Sequence, residues 1–246
     1  MKSMHVISSV ILLFSGAFIA DAAESSKTAY DFSGFYLGVS SGYNHIHNKT
    51  TETFSNFSLT GASNLNGKVN QNTLSGQGLF GGGQLGFGKQ FDRYYLGAQF
   101  EGNLQNTTSK QNDGNSQSTY NMGARNLFIS LKNTFVFSLK TGVALDKALI
   151  YAKAGVALSK FNVKSEYPFL AGVTGLSSSG AQYFNKRQVG LAVGVGVDVP
   201  VAKHVILTGE AGYTQYKKFT INHPNTSKTD VTPSALSFQL KASYKF

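Results

Sequence analysis

Three residues near the start of the chain carry ligand chemistry at a spacing that gathers them on one side of an extended backbone. Tyr43, His45 and His47 alternate with Asn44 and Ile46. Successive side chains of a strand point to opposite faces, so these three share one. Phenolate and imidazole both ligate haem iron, which makes the trio the candidate cofactor site, with hemin the group it suits. The same residues equally suit a solvated strand end. A hydrolytic reading would use His45, His47 or His223 as a base beside one of many Ser or Asp residues. No Gly-x-Ser-x-Gly string sits at a strand-to-helix turn, as a nucleophile elbow requires (Gly38 to Gly42 lies within an alternating segment), and no metal-ligand spacing appears. The chain also lacks cysteine, which removes thiolate metal sites and disulfide frameworks. No catalytic residue and no metal ligand is assigned.

A second set of residues has electrostatic chemistry. Glu101, Lys140, Lys153, Glu210 and Lys241 each fall inside an alternating segment, on the face opposite the apolar stripe. If that face lines a narrow lumen, buried charges of both signs must pair. Glu101 and Glu210 are expected to pair with some of Lys140, Lys153 and Lys241, forming an ionic network that plugs the lumen.

The elements that position these residues read as strands. Phe35, Leu37, Val39, Ser41 and Tyr43 alternate with Gly38, Ser40 and Gly42, the period of two expected of a strand between unlike surroundings. The same rhythm returns at 79–89, 94–104, 127–143, 150–158, 189–199, 205–213 and 236–246. In the fourth segment the odd positions Leu127, Ile129, Leu131, Phe135 and Phe137 form the apolar stripe, with Lys132 and Lys140 opposite. Long polar stretches at 45–76, 105–122, 162–185 and 217–233 read as exposed loops, those at 162–185 containing Pro168 and Ser177 to Ser179. Short turns at Gln90 to Arg93, Asp146-Lys147 and Pro200 to Lys203 separate the other ends. The expected fold is all-β: an eight-stranded antiparallel transmembrane β-barrel, an up-and-down meander with short periplasmic turns and long extracellular loops.

Composition fits this reading. Charged residues make up 14% of the chain, against roughly 25% in an ordinary soluble domain, and Gly, Ser, Thr, Asn and Gln take their place. A soluble ligand barrel would turn its apolar stripe inward. Here the opposing face is rich in Gly and small polar residues, which suits the lumen of a membrane barrel. Phe32, Tyr36, Phe91, Tyr94, Tyr95, Tyr244 and Phe246 fall near the periplasmic rim, and Phe161, Tyr216 and Phe219 near the outer one, as interfacial girdles would.

Met1 to Ala22 has a cationic Lys2, an apolar run from Val6 to Ala20 and small residues at Ala20 and Ala22, the pattern of a cleaved secretory signal. Residues 1–22 are therefore read as signal peptide and 23–246 as the barrel, exported to the outer membrane of a Gram-negative bacterium. The net charge of +10 comes from Lys and Arg scattered without a run of three, so nucleic acid is not an expected partner. Expected partners are outer-membrane lipid and lipopolysaccharide, the barrel-assembly machinery and a host surface ligand. Phe246, ending an alternating aromatic strand, is the candidate assembly signal.

Several segments resemble a known family. Phe32-Ser33-Gly34-Phe35-Tyr36-Leu37-Gly38, Ser138 to Leu145 with Ile150 to Ala157, and Val189 to Asp198 followed by Glu210-Ala211-Gly212-Tyr213 are similar to strands of the small porin-like surface antigens. That family includes opacity-type and hemin-binding outer-membrane proteins. The resemblance implies an eight-stranded surface barrel. It leaves open a structural or interaction role, adhesion, hemin binding and a narrow low-conductance pore, and Phe32 stands where members commonly have Trp.

Overall fold

The computed structural model describes residues 30–57, 65–111, 126–166, 181–222 and 227–246. The leader, Met1 to Ala22, lies outside the described residues, as do His223, Pro168 and the run Ser177 to Ser179. The described strands are β1 (Gly34–Phe57), β2 (Leu65–Phe91), β3 (Tyr94–Gln105), β4 (Thr107–Gln111) and β5 (Asn126–Leu145). They continue as β6 (Ala148–Glu166), β7 (Ala181–Ala202), β8 (Val205–Tyr216), β9 (Phe219–Asn222) and β10 (Ser227–Lys245). β4 resumes the path of β3 after Asn106, and β9 that of β8, so the meander makes eight passes. Pairing is antiparallel throughout, and β1 pairs with both β2 and β10. The sheet thus closes on itself through the β1–β10 pairing, the condition for a β-structure to cross hydrocarbon.

The turns at one end are two residues long: Asp92-Arg93, Lys203-His204 and the expected Asp146-Lys147. Asp92 sits at a φ of 54°, a left-handed conformation that Asp tolerates better than most residues. β7 runs on through Pro200, with a register shift beside it, so the expected turn at Pro200 begins later. Proline is tolerated there because an irregular strand end needs no ladder donor.

The strands are longer than the alternating segments. Of residues 45–76 and 162–185, expected as loops, the described ones (45–57, 65–76, 162–166 and 181–185) are strand, and β4, β9 and the start of β10 occupy parts of the other two. The reason is a change of solvent along the strand. On β1 the outward face runs Phe35, Leu37, Val39, Ser41, Tyr43 and then His45, His47, Lys49. The inward face runs Gly38, Ser40, Gly42, Asn44 and then buried Ile46. On β6, outward Leu158 gives way to Lys160, while inward Ser159 gives way to buried Phe161. Below this level the barrel is apolar outside and mostly polar inside; above it the outward face turns polar and the inward face gains apolar residues such as Ile46 and Phe161 beside buried Asn48 and Thr107. The upper part has the pattern of a barrel in water, and its outward polar residues read as loop in the sequence.

Two expectations about facing are corrected. β5 carries a bulge, with Lys132 and Asn133 opposite the single Lys160, between the pairs Leu131↔Phe161 and Thr134↔Ser159. An extra residue reverses the facing beyond it. Ile129 and Leu131 therefore point inward and are buried, while Lys132 leaves the lumen face and donates to Asn106 Oδ1 at 2.5 Å. Among the rim aromatics, Phe91, Tyr94, Tyr244 and Phe246 are exposed, but Phe32, Tyr36, Tyr95, Phe161, Tyr216 and Phe219 are buried inside the barrel. They fill its two mouths instead of forming outer girdles.

Glycine makes room for the inward rings. A Cβ at Gly86, Gly88 or Gly196 would overlap the ring of Tyr36, Tyr95 or Tyr151 respectively. Tyr36↔Gly86 and Tyr151↔Gly196 are direct cross-strand partners.

The change of solvent is testable by single-cysteine labelling, since the chain has no cysteine of its own. In intact cells a membrane-impermeant maleimide is expected to label Lys160→Cys rapidly and to leave Leu158→Cys and Phe161→Cys unlabelled. Equal labelling of Leu158→Cys and Lys160→Cys would show that the apolar band does not end between them.

Candidate functional site

Four of the five charged residues meet in one ring across the lumen. Lys153 on β6 reaches Glu101 on β3 and Glu210 on β8, each at 2.6 Å. Lys241 on β10 reaches the same two carboxylates at 2.5 and 2.8 Å. Two ammonium groups and two carboxylates therefore alternate around a closed, formally neutral circuit contributed by four strands. All four side chains are buried, so each depends on the others for the solvation that water would supply.

Neutral groups satisfy what remains of the carboxylates. Tyr151 Oη donates to Glu210 Oε2 at 2.7 Å, and Gln239 Nε2 donates to Glu210 Oε1 at 2.5 Å. Gln99 Nε2 donates to Glu101 Oε1 and to Gln84 Oε1, the latter at 2.8 Å. Tyr36 Oη donates to Gln99 Oε1, and Gln84 Nε2 donates to Ser243 Oγ. Buried charge pairs gain little net energy over an apolar filling, but removing one partner is costly.

Lys140 takes no part in the ring. It lies directly across from Lys153 in the β5–β6 ladder, and like charges at that spacing repel. Lys140 instead extends toward the periplasmic end, where its ammonium meets Asp198 Oδ2 at 2.5 Å. Thr208 Oγ1 donates to the other carboxylate oxygen at 2.7 Å. The ammonium lies 3.7 Å from the Tyr151 ring centroid and 5.8 and 5.7 Å from those of Tyr36 and Tyr95. A cation among three aromatic faces is held by their quadrupoles as well as by its carboxylate.

Apolar groups pack above and below these polar layers. Above are Ile46, Leu131, Phe161, Phe219, Ile221 and Val231. Below are Phe32, Tyr95, Leu149 and Ile206. The backbone N–H of Phe32 donates to Gln90 Oε1 at 3.0 Å, and Tyr30 Oη donates to the Lys203 carbonyl at 3.1 Å. Small cavities border the charged layers among the described residues. One of about 50 Å³ borders Glu101, Lys153 and Glu210 on the outer side, and one of about 10 Å³ borders Lys140 and Asp198 on the periplasmic side.

The aromatic and imidazole trio lies elsewhere. Tyr43, His45 and His47 share the outward face of β1, at and just above the upper limit of the apolar band. The His45 and His47 rings are 4.4 Å apart between centroids. Tyr43 Oη donates to Gln77 Oε1 at 2.5 Å, and His47 Nδ1 is 2.9 Å from Ser75 Oγ. Partial burial, then the neighbouring His45, hold the His47 imidazole below its usual pKa. Phe246 is exposed at the opposite rim, its backbone N–H bonded to the Phe35 carbonyl at 3.0 Å.

Sequence reasoning did not include Asp198 or the three tyrosines among the site residues. Their signal was parity. Asp198 shares its facing with Gly194 and Gly196, and Tyr151 with Lys153, so each was due to point inward.

The family model for the outer membrane protein beta-barrel domain matches residues 10–246. No curated protein matches the chain in sequence. Among solved structures, the outer membrane protease OmpT from Escherichia coli is similar at 10% identity. That match covers 90% of this chain and 100% of that one, with a TM-score of 0.46. Ail, the attachment invasion locus protein of Yersinia pestis, is 12% identical over 87% of this chain and all of its own, with a TM-score of 0.37. Neisserial surface protein A is 17% identical over 87% of this chain and 98% of its own, with a TM-score of 0.30. With the closed antiparallel meander and a family match spanning it, this chain belongs to the outer membrane protein beta-barrel domain family and is a protein of the bacterial outer membrane.

Proposed function

We propose that the chain is a closed-lumen surface protein that acts through the strand extensions above the membrane, in a structural or interaction role and not as a conduit. The observation that carries this reading is the neutral ring of Glu101, Lys153, Glu210 and Lys241 across the lumen. The cavity on its outer side is about 50 Å³ and that on its periplasmic side about 10 Å³, space for a few waters and about one water respectively. Apolar packing at both mouths supports the same reading. With transport set aside, the parts that meet other molecules are the outward faces of the extended strands, and adhesion to a host or environmental surface is one form such a role takes.

One observation supports a second reading, capture of hemin. Tyr43, His45 and His47 are adjacent on an accessible face, and the lowered imidazole pKa of His47 favours its neutral form, the form that ligates metal.

Planar-bilayer recording of the refolded protein tests the main reading. No unitary steps are expected, and reproducible channel openings by the wild-type protein would overturn it. The ring itself is tested by urea unfolding in lipid. Glu210→Gln is expected to destabilise the barrel by about 3–5 kcal/mol by leaving an ammonium uncompensated, and adding Lys241→Met is expected to recover much of that loss. If both variants unfold like wild type, the four charges do not work as a unit.

Hemin titration in detergent separates the second reading. A Soret shift that disappears in His45→Ala/His47→Ala, with the folded gel mobility retained, supports capture at the trio. A shift unchanged by both substitutions excludes it.

A further inference from the structure

The outward wall formed by β4 to β7 above the apolar band is built differently from the rest of the outer surface. Its lowest row holds Lys160 and Arg187, direct cross-strand partners on β6 and β7, with Lys132 of the bulge beside them. Like charges directly opposite each other destabilise a sheet. Among the described residues, neither Lys160 nor Arg187 has an acidic partner, whereas Lys218 elsewhere on the rim is paired with Asp230 at 2.6 Å. Lys160 and Arg187 are thus placed to receive negative charge from outside the chain.

Two further rows rise above this one. The middle row is neutral and polar, with Thr108 and Ser130 sharing a hydrogen bond at 2.8 Å. The top row reads Lys110, Phe128, Lys164, Tyr183 across four adjacent strands in register. Cation and ring alternate: both ammonium groups lie within 6 Å of the Phe128 centroid, at 5.9 and 5.8 Å, and Lys164 is 5.7 Å from that of Tyr183. Cations bind phosphate, hydroxyls and amides bind sugar hydroxyls, and exposed rings cover the apolar faces of pyranoses. The three rows together present all of these chemistries.

The position of the wall selects the source of the ligand. Leu158 and Val189, exposed to the apolar band, are the cross-strand pair one step below Lys160 and Arg187. One side-chain step along a face is about 7 Å. A lipid whose chains lie against Leu158 and Val189 carries its headgroup directly onto the basic pair. We propose that the β4–β7 wall docks the phosphorylated sugar headgroups of the outer-leaflet lipid around the barrel, with Lys160 and Arg187 binding phosphate and the Lys110–Tyr183 row covering the sugars. This rests on reading the strand extensions as the interacting part of the protein and names the partner of one face.

The test uses the full barrel in phosphatidylcholine nanodiscs, titrated with a bisphosphorylated glucosamine-based lipid and with its dephosphorylated counterpart. Wild type is expected to retain the phosphorylated lipid preferentially by native mass spectrometry. Lys160→Gln/Arg187→Gln is expected to lower that retention by roughly tenfold per cation removed. Lys49→Gln, a cation on the outward face of β1, is expected to leave it unchanged, and Tyr183→Ser to reduce retention of both lipids. Equal retention of the two lipids by wild type, or an equal loss in Lys49→Gln, overturns the proposal. So does a soluble acidic polysaccharide that binds through Lys160 and Arg187 while lipid retention is indifferent to them. Folded gel mobility is checked for each variant. Bilayer recording on the same preparations separates failure of this site from failure of the closed-lumen reading.

Discussion

A backbone amide in hydrocarbon has no water to bond, and the rest of this structure follows from that constraint. The sheet must close, so β1 pairs with β10 as well as β2. Eight passes close into a cylinder whose interior is only as wide as its own side chains. Whatever faces inward must therefore fit against what faces it from the other strands. Tyrosines lie over glycines, as Tyr151 does over Gly196, and each charge meets its opposite, as in the ring of Glu101, Lys153, Glu210 and Lys241. Lys140, facing Lys153 across one ladder, resolves the repulsion by turning to Asp198 and an aromatic enclosure.

The second organising feature is that each long strand passes through two solvents. Both faces change at the same height: the outward one turns polar at Tyr43 to His45 on β1 and Leu158 to Lys160 on β6, and the inward one gains apolar residues at Asn44 to Ile46 and Ser159 to Phe161. The upper barrel is held by an interior of Ile46, Phe161, Ile221 and Val231, as a water-exposed barrel would be. A continuous ladder joins the two regimes. The outer faces are consequently presented on paired strands and not on free chain, which gives the basic wall of β4 to β7 a fixed spacing.

The membrane part of the fold was legible in the sequence because hydrocarbon imposes strict alternation, and the eight passes and the turn at Asp146-Lys147 followed from it. The extensions were not legible as strands. Outside the membrane the outward face turns polar, and the inward face mixes Ile46 and Leu74 with Asn48, Thr50 and Gly76, so no clear period remains. The bulge at Lys132-Asn133 was also hidden. Apolar residues continue on odd positions through Leu127, Ile129 and Leu131 whether the strand is regular or not, and only the pairing with β6 shows that their facing reverses. Glu101, Lys153, Glu210 and Lys241 were legible as inward charges from parity alone. Which ammonium meets which carboxylate depends on the stagger between strands far apart in the chain, and for that reason the partnership of Lys140 with Asp198 could not be read from spacing.

The charge ring is also tied to the seam of the barrel. Glu101, Lys153 and Glu210 are supplied by β3, β6 and β8, but Lys241 comes from β10, which is also the strand that seals the ladder against β1. Without that strand in the ladder, two carboxylates would share a single ammonium and the interior would hold an unbalanced negative charge. Closure of the backbone and electrical balance of the interior thus depend on the same strand. A barrel open at this seam would carry its own uncompensated charge, which only the sealed ladder removes.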